Sequence, residues 1–277
     1  MWQLIAGVVL LAIGLLFSSF NKRPFMDYDF ILTWYGFLFL TDFLAFKLTG
    51  KSIFRNLKLF LILAFSSGFF WTFYEWLNLF LKNWAYPNQV LYNQLEWEVL
   101  TVIAFTTVLP HLIISTNIIK GLFFKNPISF SQSKLSKPVI LTSVILGFIC
   151  LVLTVYIPLY FFPLAWFIVF LILDPINSIY GRRSLTTQIL KHNYRPLILL
   201  STAALLAGFW WETINFSVHR WIYPIVPWFW TLPAPITTKY IEMPLAGFLG
   251  YIPFILSAFA FVEFLEIPLW LKEKISS

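Results

Sequence analysis

The chain is 277 residues long, 60% hydrophobic, 21% aromatic and 11% charged, with a formal net charge of +7. A charged fraction so far below the roughly 25% of soluble domains excludes a water-soluble globular fold and marks a polytopic membrane protein. One cysteine, Cys150, and three histidines (His111, His192, His219) without ligand spacing offer neither a disulfide framework nor a metal site, so no metal and no cofactor are expected.

Eight apolar segments, most of them near the roughly 20 residues that cross a bilayer core, are predicted as spanning helices at 2–20, 30–48, 57–81, 99–119, 139–157, 160–174, 197–218 and 244–264. The expected architecture is an all-α polytopic membrane helical bundle. The first segment lacks a basic leader and a small-residue cleavage site and is expected to be retained. The sixth is short and must borrow from its flanks. Of the Lys and Arg residues, 14 fall on the side that holds both termini and 5 on the other. That bias predicts a multi-pass protein of the cell membrane with both termini cytoplasmic, and it explains the positive charge without nucleic acid.

A polar pattern recurs at the ends of the third and seventh segments. Glu75/Glu212, Asn78/Asn215, Trp84/Trp221, Tyr86/Tyr223 and Pro87/Pro224 are each 137 positions apart. Such a pattern at constant offset within apolar sequence predicts an internal duplication. Upstream, Asp42 and Asp174 are read at helix ends, each ten residues before a serine (Ser52, Ser184). Downstream, Glu98 and Glu242 open the fourth and eighth helices. The expected organisation is a four-helix repeat at 1–120, a cytoplasmic linker at 121–137 and a second four-helix repeat at 138–277. An even helix count inserts both repeats the same way up, a 4+4 parallel arrangement.

Direction then sets depth. Glu75 and Glu212 fall in the outer parts of their helices, one turn from Asn78 and Asn215 on the same face. Glu98 and Glu242 start from that side too, so all four carboxylates are expected around one outer cleft. A carboxylate within a bilayer must face the protein interior or take up a proton. A protonated carboxyl can act as a general acid toward an alkene, and tryptophan faces stabilise carbocations. Glu75, Glu98, Glu212 and Glu242 are therefore the candidate catalytic residues, with Asn78, Trp84, Tyr86, Trp211, Asn215, Trp221 and Tyr223 as candidate substrate contacts. The same residues also have structural readings. The Glu-x-x-Asn pairs can link the halves, and the Trp and Tyr residues can form an interfacial belt. Asp42 and Asp174 read as helix-end caps or partners of Lys51 and Arg182/Arg183, and Glu263 and Glu266 as solvated.

In order and spacing, Glu75…Trp84-Ala-Tyr86…Leu95-Glu-Trp-Glu98 and Glu212…Trp221-Ile-Tyr223…Ile241-Glu-Met-Pro244 resemble integral-membrane lycopene cyclases of the heterodimeric or fused type. In that family an acidic helix leads to a Trp-x-aromatic turn and then to a helix opening with Pro-x-Glu-Glu. Here neither that proline nor an adjacent Glu-Glu pair occurs. The resemblance implies isoprenoid or carotenoid chemistry by carboxylate acid catalysis, without cofactor or metal, on a hydrophobic lipid in the bilayer. A proton- or ion-coupled transporter remains open as an alternative. So does a non-catalytic lipid- or pigment-binding subunit with a membrane-complex partner.

Overall fold

Within hydrocarbon a helix satisfies its backbone groups from inside itself, so long apolar runs have one low-cost conformation. The computed structural model describes residues 1–131, 133–224 and 237–266, and it is a helical bundle. Its helices are α1 (Trp2–Phe20), α2 (Phe25–Thr49), α3 (Leu57–Leu81), α4 (Gln94–Phe105), α5 (Val108–Phe123), α6 (Lys137–Tyr156), α7 (Pro158–Phe161), α8 (Ile168–Ile179), α9 (Leu185–Leu190), α10 (Arg195–Val218) and α11 (Tyr251–Phe264). Among the described residues eight helical segments are long and apolar enough to cross a membrane. The sixth, Pro158–Ile179, reaches 22 residues because a 3-10 turn, Phe162–Phe167, joins α7 to α8. Lys272 and Lys274, counted in the charge bias, lie outside the described residues, as does the end of the region expected to run to 277.

The fourth span starts five residues early and the sixth ends five residues late, and two further differences from expectation have a local reason. Helix α2 starts at Phe25, five residues early, which brings Asp27 and Asp29 into its first turns. Arg23 lies 3.1 Å from Asp27, and Arg220 pairs with Asp29, so both carboxylates have counter-ions there. The fourth span is broken between α4 and α5. Pro110 has no N–H to give the carbonyl of Thr106, four residues back. Ser67 bridges the break, its hydroxyl donating to the Phe105 carbonyl at 2.5 Å and accepting from the Leu109 N–H at 3.0 Å.

Asp42 and Asp174 are not at helix ends. Each sits inside its helix, α2 or α8, and is fully buried. Asp42 accepts from Gln3, the Ser52 hydroxyl and the N–H groups of Ile53 and Phe54. Asp174 accepts from the Ser184 hydroxyl at 2.8 Å and the N–H groups of Leu185 and Thr186 at 2.7 and 2.8 Å. These are clamps on a returning loop, with hydrogen bonds in place of water. Glu263 is buried and paired with Arg183 rather than solvated, while the exposed Glu266 pairs with Arg182.

Helices α1 and α6 lie at the periphery, with few buried residues. A Cβ on Gly14 or Gly36 would fall 2.4 Å from the backbone of the partner helix, so these glycines set how closely α1 and α2 approach. The interior is aromatic: Trp34, Tyr74, Phe254 and Phe259 are fully buried among α2, α3, α5, α10 and α11.

Candidate functional site

The site is built from two helix exits. Helix α3 ends at Lys82 in a left-handed conformation (φ 49°), and α10 ends likewise at His219 (φ 45°). Their N–H groups bond back to the carbonyls of Asn78 and Asn215. The Asn78 side chain accepts from the N–H groups of Asn83 and Trp84 and donates to the Trp84 carbonyl at 2.8 Å. Asn215 does the same with Arg220 and Trp221, again at 2.8 Å to the Trp221 carbonyl. Both asparagines, read from sequence as substrate contacts, hold turns. The turns then meet: Ala85 and Ile222 exchange two antiparallel backbone bonds of 3.0 Å.

One turn back along each helix is a carboxylate. Glu75 Oε1 accepts from Trp71 Nε1 at 2.7 Å, Trp84 Nε1 at 3.1 Å and the Tyr86 hydroxyl at 2.5 Å. Glu212 Oε1 accepts from Tyr223 at 2.9 Å, Tyr251 at 3.1 Å and Trp221 Nε1 at 3.4 Å. Glu75 is half-buried, whereas Glu212 is 0% exposed and its Oε2 has no partner among the described residues. Tyr86 and Tyr223, in the connections beyond the spans, have hydroxyl pKa values held well above the usual 10. Burial is the larger cause for both, followed by the charge of Glu75 at Tyr86 and of Tyr251 and Glu212 at Tyr223. They therefore remain donors.

The other two candidate carboxylates have other partners, although Glu242 is within electrostatic reach of Glu212. Glu98 is exposed and accepts from Gln94, and Glu242 lies 3.9 Å from Lys239. Its neighbour Glu96 closes a capping box with Asn93 and pairs with Arg23 at 3.0 Å. The described residues do not bring four glutamates to one cleft.

What the two exits do bring together is a cavity of about 590 Å³. Trp84, Tyr86, Trp221, Tyr223 and Trp211, all expected near substrate, line it, with Trp71, Trp166, Phe254 and Tyr251. Glu75 and Glu212 stand one layer behind, reached through the N–H and O–H edges of those rings. Trp211 stacks on Trp34 and Tyr251, with interplanar angles of 5° and 20°. Behind it His111 is fully buried among Trp34, Trp210 and Trp211 and donates through Nε2 to the Ala207 carbonyl, leaving Nδ1 without a partner among the described residues. Among the described residues no group of three His, Cys, Asp or Glu could hold a metal ion.

Set against family models, curated proteins and solved structures, the chain matches none of them. Several residues of the site escaped sequence reasoning. Tyr251 was hidden in an apolar run, Trp166 in a short span, and Asp27, Asp29 and Arg220 in what looked like connections. The acidic pair just before a span was the one available signal.

Proposed function

We propose that this chain is a duplicated membrane protein, two four-helix halves inserted the same way up with both termini cytoplasmic, which holds a long isoprenoid-like lipid between its halves. The observation that carries the reading is the 590 Å³ cavity, walled by tryptophan and tyrosine at the paired helix exits. A cavity in the range of roughly 300–1,000 Å³ with apolar walls and few polar groups suits one small apolar ligand. The equal offsets of Glu, Asn, Trp and Tyr, and the like bonding of each pair, support the duplication. The two clamps at Asp42 and Asp174 support it at the other end of the bundle.

The chemistry such a site suits is acid-catalysed rearrangement of the lipid, the activity that the resemblance to lycopene cyclases implies. A proton would pass from the Glu75 or Glu212 carboxyl through the Tyr86 or Tyr223 hydroxyl, which takes it up as its own O–H bond breaks toward the alkene carbon and the C–H bond forms from the π pair, so that no free phenolate is formed. The carbocation left on the lipid would face tryptophan rings, which stabilise positive charge, until a carbon-bound proton returns by the same hydroxyl to the carboxylate and restores the carboxyl.

The test is organic extraction of the purified wild type and of a Glu75→Gln/Glu212→Gln variant, followed by mass spectrometry. A bound isoprenoid in both, chemically altered only in the wild type, is the expected result. The same lipid in both would leave binding without chemistry, and no bound lipid in either would remove the reading.

A further inference from the structure

The cavity wall is chemically uneven. Asp27 comes from α2, Asn83, Asn88 and Tyr92 from the α3–α4 connection, and Arg220 from the exit of α10. The contributions from Phe162–Phe167 and Leu245–Gly250 carry no charged or amide side chain. A purely hydrocarbon ligand would leave the amide side chains of Asn83 and Asn88 against apolar surface, which is costly. A ligand with one polar end would not.

The charges restrict what that end can be. Of the charged residues lining the cavity, Asp27 pairs with Arg23, and Arg220 pairs with Asp29 and bonds the Met26 carbonyl. Arg23 is shared further with Glu96 and the Leu91 carbonyl. Two guanidinium groups thus face three carboxylates in this network. Between the lining positions Pro224 and Met243 the only charged residues in the sequence are Lys239 and Glu242, which face each other at 3.9 Å and leave the surplus carboxylate unchanged. An anionic head would need a cation already committed elsewhere and would meet a surplus carboxylate. A hydroxyl or carbonyl needs only the hydrogen-bonding edges that Asn88, Asn83 and Tyr92 carry.

Resting on the lipid-binding reading, we infer that the ligand is a neutral, oxygen-headed isoprenoid such as a prenyl alcohol, its head at the Asp27–Asn88–Arg220 wall, and not a prenyl diphosphate or a bare hydrocarbon. The test is direct binding of tritiated geranylgeraniol, geranylgeranyl diphosphate and squalene to the full chain in neutral detergent. The alcohol should bind at least about tenfold more tightly than either of the others, a factor that one well-made polar contact supplies. Asn88→Lys, which places a new cation at the half-buried rim, should tighten diphosphate binding about tenfold, with an unchanged thermal unfolding temperature in the same detergent showing that the fold is intact; a folded variant without that gain would overturn the placement of the head. Diphosphate or squalene binding the wild type as tightly as the alcohol would overturn the inference and leave the cavity reading standing. Saturable binding of none of the three would overturn the cavity reading itself.

Discussion

The Glu75 and Glu212 clusters solve one problem with different parts. In each, a single carboxylate oxygen collects three donors, a tryptophan and a tyrosine from its own exit turn and a third from elsewhere. At Glu75 the third donor is Trp71, one turn back on the same helix. The position 137 residues on is Gly208, which has no side chain to offer. Tyr251 of α11 takes its place, its ring so close over Gly208 that a Cβ there would fall 2.3 Å from it. The difference teaches how one arrangement is built from different parts: where position 208 has no side chain, a neighbouring helix supplies the ring.

That comparison can be broken at several points. The largest effect is expected at Glu212. Glu212→Leu leaves three buried donors without an acceptor and should cost about 3 kcal/mol or more. Glu75→Leu should cost less, since Glu75 is only half-buried and its donors can relax. Thermal unfolding in one detergent checks the order, and equal losses would count against the difference in burial. Gly208→Ala comes next, at about 1–3 kcal/mol from forcing the Tyr251 ring aside. Its control is Gly68→Ala in α3, where nothing lies within 4 Å of the added methyl and the change should be neutral or slightly stabilising.

Asn215→Ala and Asn78→Ala should each cost about 1–2 kcal/mol through loss of the turn bonds, with the fully buried Asn215 the costlier. Because the two turns join at Ala85 and Ile222, the double variant should depart from additivity. A strictly additive pair would show that the bridge carries no coupling.

The smallest effect is a pH response. Tyr86 and Tyr223 have folded pKa values above their unfolded value, so their contribution is complete below about pH 10 and is lost as pH rises beyond it. In that range the unfolded chain releases protons that the folded chain retains. Alkaline denaturation followed by near-ultraviolet absorbance should show these two tyrosines ionising only as the protein unfolds; Phe replacements should flatten the slope.

Much of the bundle was legible because apolar runs of spanning length have little choice of conformation, and the repeated spacing singled out Glu75, Trp84 and Tyr86 together, though not that both rings donate to the carboxylate. Depth along a helix was harder. Asp42 and Asp174 looked like helix ends because a charge within an apolar run suggests one, yet clamping a loop lets a helix continue past a carboxylate. Glu98 and Glu242 were expected at the cleft by symmetry of order, but Glu98 is on an exposed part of a helix and Glu242 is in a tight turn between two-residue strands, so matching order did not give matching surroundings. Glu263 looked solvated because its partner, Arg183, is 80 residues away in sequence. Tyr251 and Trp166 could not be singled out among so many aromatic residues.

The bond pair between Ala85 and Ile222 joins residues 137 positions apart, the offset that also relates their flanking tryptophans and tyrosines. On the duplicated reading, a half standing alone would present this turn to its own copy, and one residue would pair with itself across a twofold axis. That is the geometry of an isologous homodimer. The fused chain would then preserve, as an internal contact, what had been a subunit interface, and fusion would have freed position 208 to lose its side chain on one side only.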